Sequence, residues 1–129
     1  MKIRKYTFLC CFALLVCLAC QRERNPRYVI GVSQCSEDLW RQTMNEELKR
    51  EVALYQADAE VLIRSVKDDT PKQIADIEWF IEQKVDVLVV SPNESEACTP
   101  VIEKAYQQGI PVILVDRKIA TESYTAYVG

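Results

Sequence analysis

Histidine is missing from this chain altogether, and glycine occurs only three times in 129 residues. Each shortage removes a class of chemistry. Without histidine there is no imidazole base, no phosphohistidine on this chain, and most zinc sites are excluded. With so few glycines, no glycine-rich turn lets backbone approach a pyrophosphate. A dinucleotide fingerprint and a P-loop are therefore both absent. Charge of one sign is not concentrated either. The formal charge is −3, and no basic stripe marks a nucleic-acid surface. Four of the six cysteines fall within the first twenty residues, which leaves Cys35 and Cys98, too few for a disulfide framework. Two small, partly buried thiols, or one bridge between them, are the open readings.

The first twenty residues, MKIRKYTFLCCFALLVCLAC, contain no acid. They carry a basic head (Lys2, Arg4, Lys5) and an apolar run from Phe8 to Ala19. This pattern is that of a secretory signal, short for a membrane span. Its end, Cys17-Leu18-Ala19-Cys20, resembles a bacterial lipobox, which makes Cys20 the expected lipidation site. Ordinary cleavage nearby and an uncleaved anchor are the alternatives, and all three place the remainder outside the cytoplasm, with the membrane reached only through the N-terminus. Removing residues 1–20 leaves 13 basic and 19 acidic residues, so 13 − 19 = −6. Residues 21–27 (QRERNPR) read as a short polar tether.

Beyond the tether, β-rich and helical patterns alternate. Tyr28 to Ser33 is a candidate strand. Ser36, Glu37 and Asp38 supply caps for a helix whose apolar stripe, Trp40, Met44, Leu48, Val52 and Tyr55, runs to about residue 56. Ala59 to Ser65 is a second strand. Thr70, Pro71 and Gln73 read as N-cap, first helical residue and capping-box partner of a second helix. Its buried face is Ile74, Ile77, Phe80 and Ile81. Val85 to Val90 is a third strand. Thr99-Pro100 reads as the start of a third helix, closed by Gly109. Val112 to Val115 is a fourth strand and Tyr124 to Val128 a fifth. The third and fourth strands are continuous apolar runs, as parallel strands covered on both faces require. The expectation is an α/β fold: an open parallel sheet of order 2-1-3-4-5, flanked by helices.

Ligands of such sheets bind at the carboxyl ends of the strands. There the chain places Gln34 after strand one, Trp40 on the first helix, Ser91 after strand three, and Asp116 and Arg117 after strand four. A phosphoacceptor domain of the same strand order needs an acid where Ser91-Pro92 stands. A nucleophilic enzyme needs a base partner that Cys35 and Cys98 lack, so no catalytic residue, metal site or cofactor is assigned. What remains is recognition of a small polar ligand. Asp accepts from hydroxyls, Arg donates in a fixed fork, and an aromatic face covers the C–H face of a sugar ring. Each residue has a plainer reading: Trp40 as helix core, Asp116-Arg117 as an exposed turn, Ser91 as a strand end.

The stretches KVDVLVVSPNESEACTPVIEKAYQQGIPVILVDRK (84–118) and YVIGVSQCSEDLWRQTMNEEL (28–48) resemble the type I periplasmic binding proteins, the ribose/galactose-binding branch shared with LacI-type repressors. The resemblance covers roughly residues 28–129. It implies that Asp116 and Arg117 bind sugar hydroxyls and that Trp40 stacks on the ring. Arg41 stands where the family often has a second aromatic, and Ser91 where the ribose-binding pattern has an Asn. The style of SQCSEDLWRQTMNEEL also resembles the extracytoplasmic sensors of Bacteroidetes hybrid two-component systems. The implied ligand is a monosaccharide or similar small polyol. The implied partner is a transporter permease or the rest of a sensor kinase, with no nucleic acid. Family members have two lobes, so residues 28–129 are expected to be a first lobe, incomplete at its C-terminus, that binds sugar weakly or not at all by itself.

Overall fold

Residues 27–55 and 58–129 are described by a computed structural model. The leader, Cys20 and residues 21–26 of the tether lie outside the described residues. The elements run β1 (Tyr28–Gln34), α1 (Leu39–Ala53), β2 (Ala59–Ser65), α2 (Thr70–Glu82), β3 (Val87–Ser91), α3 (Ser95–Gln107), β4 (Val112–Val115) and β5 (Ala126–Val128). The five strands form one sheet of order β2-β1-β3-β4-β5, and every pairing in it is parallel. This is the expected α/β architecture. β2 and β4 have the expected bounds; β3 and β5 each begin two residues later, at Val87 and Ala126.

The core lies between the sheet and the α2–α3 pair. Leu88, Val90, Val112 and Leu114 meet Ile77, Phe80, Ile102 and Ala105, all fully buried. Gly31 permits this contact: a Cβ there would sit 2.8 Å from the Phe80 ring. α3 ends in a Schellman motif, with Gly109 at φ 85. Its N–H reaches the Tyr106 carbonyl at 3.0 Å, and the Ile110 N–H reaches Ala105 at 3.2 Å. α2 ends the same way, but with Lys84 at φ 55 in the glycine position.

Three local expectations are corrected. Asp69, not Thr70, caps α2, its carboxylate accepting from the Lys72 N–H at 2.9 Å. Gln73 is consequently not a capping-box partner. It is fully buried, donating to Ser33 Oγ and the Ser91 carbonyl and accepting from the Asn93 N–H at 2.8 Å. α3 begins at Ser95, so Pro100 lies inside the helix rather than at its start. The first α3 bond runs from the Cys98 N–H to the Glu94 carbonyl. Finally, the predicted stripe of α1 faces inward only in part. Trp40 and Tyr55 are exposed, Met44, Leu48 and Val52 are half-buried, and the one buried residue of the helix is Arg41. Cys35 and Cys98 are both buried free thiols.

Candidate functional site

β1, β3 and β4 end at one edge of the sheet, and the loops that follow them build the site. β4 stops because Asp116 adopts a left-handed backbone, φ 68, which Asp tolerates better than most residues. The turn is held at both sides: the Asp116 N–H donates to Val128 O at 2.9 Å, and the Tyr127 hydroxyl donates to the Asp116 carbonyl at 3.1 Å. The carboxylate so placed accepts from Arg41 Nη2, 2.6 Å from Oδ2. Arg41 Nη1 donates to Ser91 Oγ at the end of β3. One guanidinium thus joins α1, β3 and the end of β4.

Arg41 is only 4% exposed. Its Nε has no hydrogen-bond partner, with Asp38 Oδ2 3.9 Å away. Trp40, 56% exposed, carries the guanidinium over one ring face, Cζ 4.8 Å from the centroid. Asp38 caps α1 by accepting from the Arg41 N–H at 2.9 Å. A hydrogen bond from Ser36, then that N–H and the Arg41 charge, hold the Asp38 carboxyl below the usual carboxylate range. Arg117 donates from Nη1 to the Asn93 carbonyl at 2.8 Å, with Nε 3.7 Å from Asp116 Oδ2. Burial pushes the Cys98 thiol up, which suits an inert core thiol rather than a nucleophile.

The structure therefore brings together Trp40, Arg41, Ser91, Asp116 and Arg117. Gln34 lies at the same edge, as the register partner of Ser91, but is fully enclosed. It is buried beneath α1 and donates to Asn45 Oδ1 at 2.9 Å. Beside Arg41 opens a cleft of about 520 Å³, whose lining includes Asp38, Lys67, Asp68 and Arg117. Sequence reasoning missed Lys67 and Asp68, and treated Asp38 as a cap only. The available signal was the polar run Lys67-Asp68-Asp69 directly after a strand, at the edge where such folds bind ligands. Among the described residues no cluster suited to a metal ion occurs.

The periplasmic binding protein domain family matches residues 29–129. The D-xylose-binding periplasmic protein of Escherichia coli (strain K12) is 25% identical over 128 residues, 99% of this chain and 38% of its own. The ribose import binding protein of Bacillus subtilis (strain 168) is 39% identical over 57 residues, 44% of this chain and 19% of its own. Among solved structures, the fructose binding periplasmic domain of a hybrid two component system matches with a TM-score of 0.76 and 52% identity, covering 79% of this chain and 34% of that one. An ABC transporter solute binding protein from Bacillus halodurans, solved with bound myo-inositol, matches with a TM-score of 0.73 and 30% identity, covering 81% and 36%. The chain spans well under half the length of each.

Proposed function

The chain belongs to the periplasmic binding protein domain family, and from that premise we propose that it binds a small neutral carbohydrate at the rim formed by Trp40, Arg41, Ser91, Asp116 and Arg117. Family membership implies a periplasmic location, and the relatives it matches are named as binding proteins rather than enzymes. The observation that carries the reading is the Arg41–Asp116–Ser91 junction at the carboxyl edge of the sheet. Arg41 engages one Asp116 oxygen and leaves the other to accept from a sugar hydroxyl. Arg117 adds donors beside it. Arg41 covers one face of Trp40, and the opposite face is left for the C–H side of a ring. A rim of this kind encloses a ligand from one side, and closure from the other side supplies much of the affinity of a two-lobed site.

Of the two settings, the sensor region of a signalling protein has the stronger support, because the 52% identity is to a sensor domain. A transporter component working with a permease is the alternative, at 30% identity. Anchoring through residues 1–20 belongs to the same reading: an uncleaved anchor suits the sensor setting, and a lipidated Cys20 the transporter setting. The experiment is an amide NMR titration of the chain with D-fructose, D-xylose and myo-inositol. The expected result is weak, fast-exchange shifts at Arg41, Ser91 and Asp116, reduced in Asp116→Asn. If the shifts fall on residues away from the rim, or persist undiminished in Asp116→Asn, the carbohydrate site at this rim fails. A micromolar dissociation constant would instead overturn the expectation that this rim is half of a site.

A further inference from the structure

We propose that the amino edge of the sheet is a membrane-contact surface, with Tyr28, Leu54 and Tyr55 resting in the headgroup region of an anionic lipid bilayer. The inference rests on the anchoring reading above, in either of its forms, and goes beyond it, because an anchor near residue 20 does not by itself seat the domain. All the strand pairings are parallel, so the strands start at one edge, opposite the ligand rim. At that edge α1 ends at Ala53, and Leu54 and Tyr55 follow it, 73% and 63% exposed. Tyr28 opens β1 there and is 46% exposed. Backbone hydrogen bonds hold the group together. The Tyr55 carbonyl accepts from the Asp58 N–H at 2.8 Å and the Ala59 N–H at 3.0 Å, and the Tyr28 N–H donates to the Asp58 carbonyl at 2.8 Å. Three large side chains are thus left in solvent on a short, hydrogen-bonded frame.

The place of this group in the chain points to what covers it. Residues 21–27 separate it from Cys20, and seven residues reach at most about 25 Å whatever their conformation. That is about the length of β1 itself, at roughly 3.3 Å per residue. An anchored chain therefore keeps Tyr28 close to the bilayer, and with the amino edge seated the ligand rim stands one strand length away from the lipid. Tyrosine suits the water–lipid boundary, because its ring is apolar and its hydroxyl stays wet. Charge favours the same pose. Residues 21–27 carry three basic residues and one acid, 3 − 1 = +2, whereas residues 28–129 carry ten and eighteen, 10 − 18 = −8. Anionic headgroups repel a broad face of so acidic a domain, but they attract the basic segment that Tyr28 directly follows. Arg27 holds its guanidinium 5.1 Å from the centroid of the Tyr28 ring, so charge and ring reach the surface together. Three side chains bury too little area to hold a free protein on a membrane. On a short tether the contact is intramolecular, and a weak one suffices.

The test places the full chain in vesicles of phosphatidylethanolamine and phosphatidylglycerol, with and without bromine on the acyl chains near the headgroups. Flotation with the vesicles reports anchoring, and quenching of tryptophan emission by bromine reports contact. The parent emission, from Trp40 and Trp79, is subtracted. Tyr28→Trp and Tyr55→Trp are each expected to add emission that the brominated lipid quenches. Adding Leu54→Ser and Tyr55→Ser to the Tyr28→Trp chain should remove most of that quenching. Circular dichroism should stay unchanged, because both side chains are exposed. If the chain floats but the added emission is equal in the two lipids, the contact is refuted and the anchoring stands. Quenching that persists in the serine variant also refutes it, since the tether alone then brings Tyr28 near the lipid. Shielding that grows only with protein density in the membrane assigns the patch to a second copy of the chain and refutes the lipid contact. If the chain does not float, the contact falls together with the anchoring.

Discussion

Arg41 is a buried cation whose partner lies 75 residues further along the chain. Breaking a buried pair is costly when a charge is left behind, and far less so when an apolar side chain fills the space. Asp116 is half-exposed and can return to water, whereas Arg41 cannot. The two substitutions should therefore be unequal. Asp116→Asn is expected to destabilise by about 1–2 kcal/mol and Arg41→Met by less than about 1 kcal/mol. Urea denaturation of both variants checks this, and the reverse order would count against the pairing. Asp38 adds a pH dependence. Its carboxyl is held low in the folded chain, so its contribution is complete above the usual carboxylate range and disappears as pH falls through the depressed value. Asp38→Asn should flatten the acid limb of stability against pH, measured by urea denaturation at a series of pH values. Composition and spacing could nominate Arg41's neighbours but not its burial. An apolar stripe is found by counting side chains, and that count places Trp40 inward. The burial of Arg41 depends on a carboxylate that only the folded sheet brings near.

Elements whose ends are set by local chemistry were readable from the sequence. β2 and β4 are short apolar or β-branched runs, and Gly109 stops α3 through its left-handed backbone. α3's start was not readable. Thr99-Pro100 has the form of a helix beginning, yet the helix begins at Ser95 and Glu94 offers no side-chain cap. Thr99 instead donates to the Ser95 carbonyl at 2.7 Å and accepts from the Ala120 N–H at 3.0 Å, a contact 21 residues away. Two substitutions test the elements directly. Lys84 occupies the left-handed position that closes α2, so Lys84→Gly should stabilise by about 0.5–1 kcal/mol, visible as a raised thermal midpoint. Gly31→Ala should act in the opposite direction. Its Cβ would meet the fully buried Phe80 ring at 2.8 Å, and overpacking of this kind costs about 1–3 kcal/mol.

At the scale of the whole molecule, the two faces of the sheet are unequally covered. α2 and α3 pack on the face of Leu88, Val90, Val112 and Leu114. α1 lies on the other face, where its residues meet Gln34 and Ser91. It buries Val32 completely. The parallel register puts Val89 beside Val32 and Ile113 beside Val89, so this face continues through β3 and β4. Among the described residues no helix covers that half: Val87, Val89, Ile113 and Val115 are half-buried, and Ala126 and Val128 are exposed. A parallel sheet is normally covered on both faces, and a contiguous apolar patch of this sort marks a contact surface. The chain by itself is therefore expected to associate as its concentration rises, in sedimentation velocity. Val89→Lys and Ile113→Lys should shift it toward the monomer, because a lysine stem can lie on the patch with its ammonium in water. Secondary structure should persist by circular dichroism, since neither residue belongs to the α2–α3 core. Sedimentation as a monomer at all concentrations would mean that something the described residues do not include already shields the patch. The ligand rim and this patch share β3 and β4, and a chain that hides the patch by self-association should also show altered rim amides. The NMR titrations therefore belong at concentrations below the association midpoint.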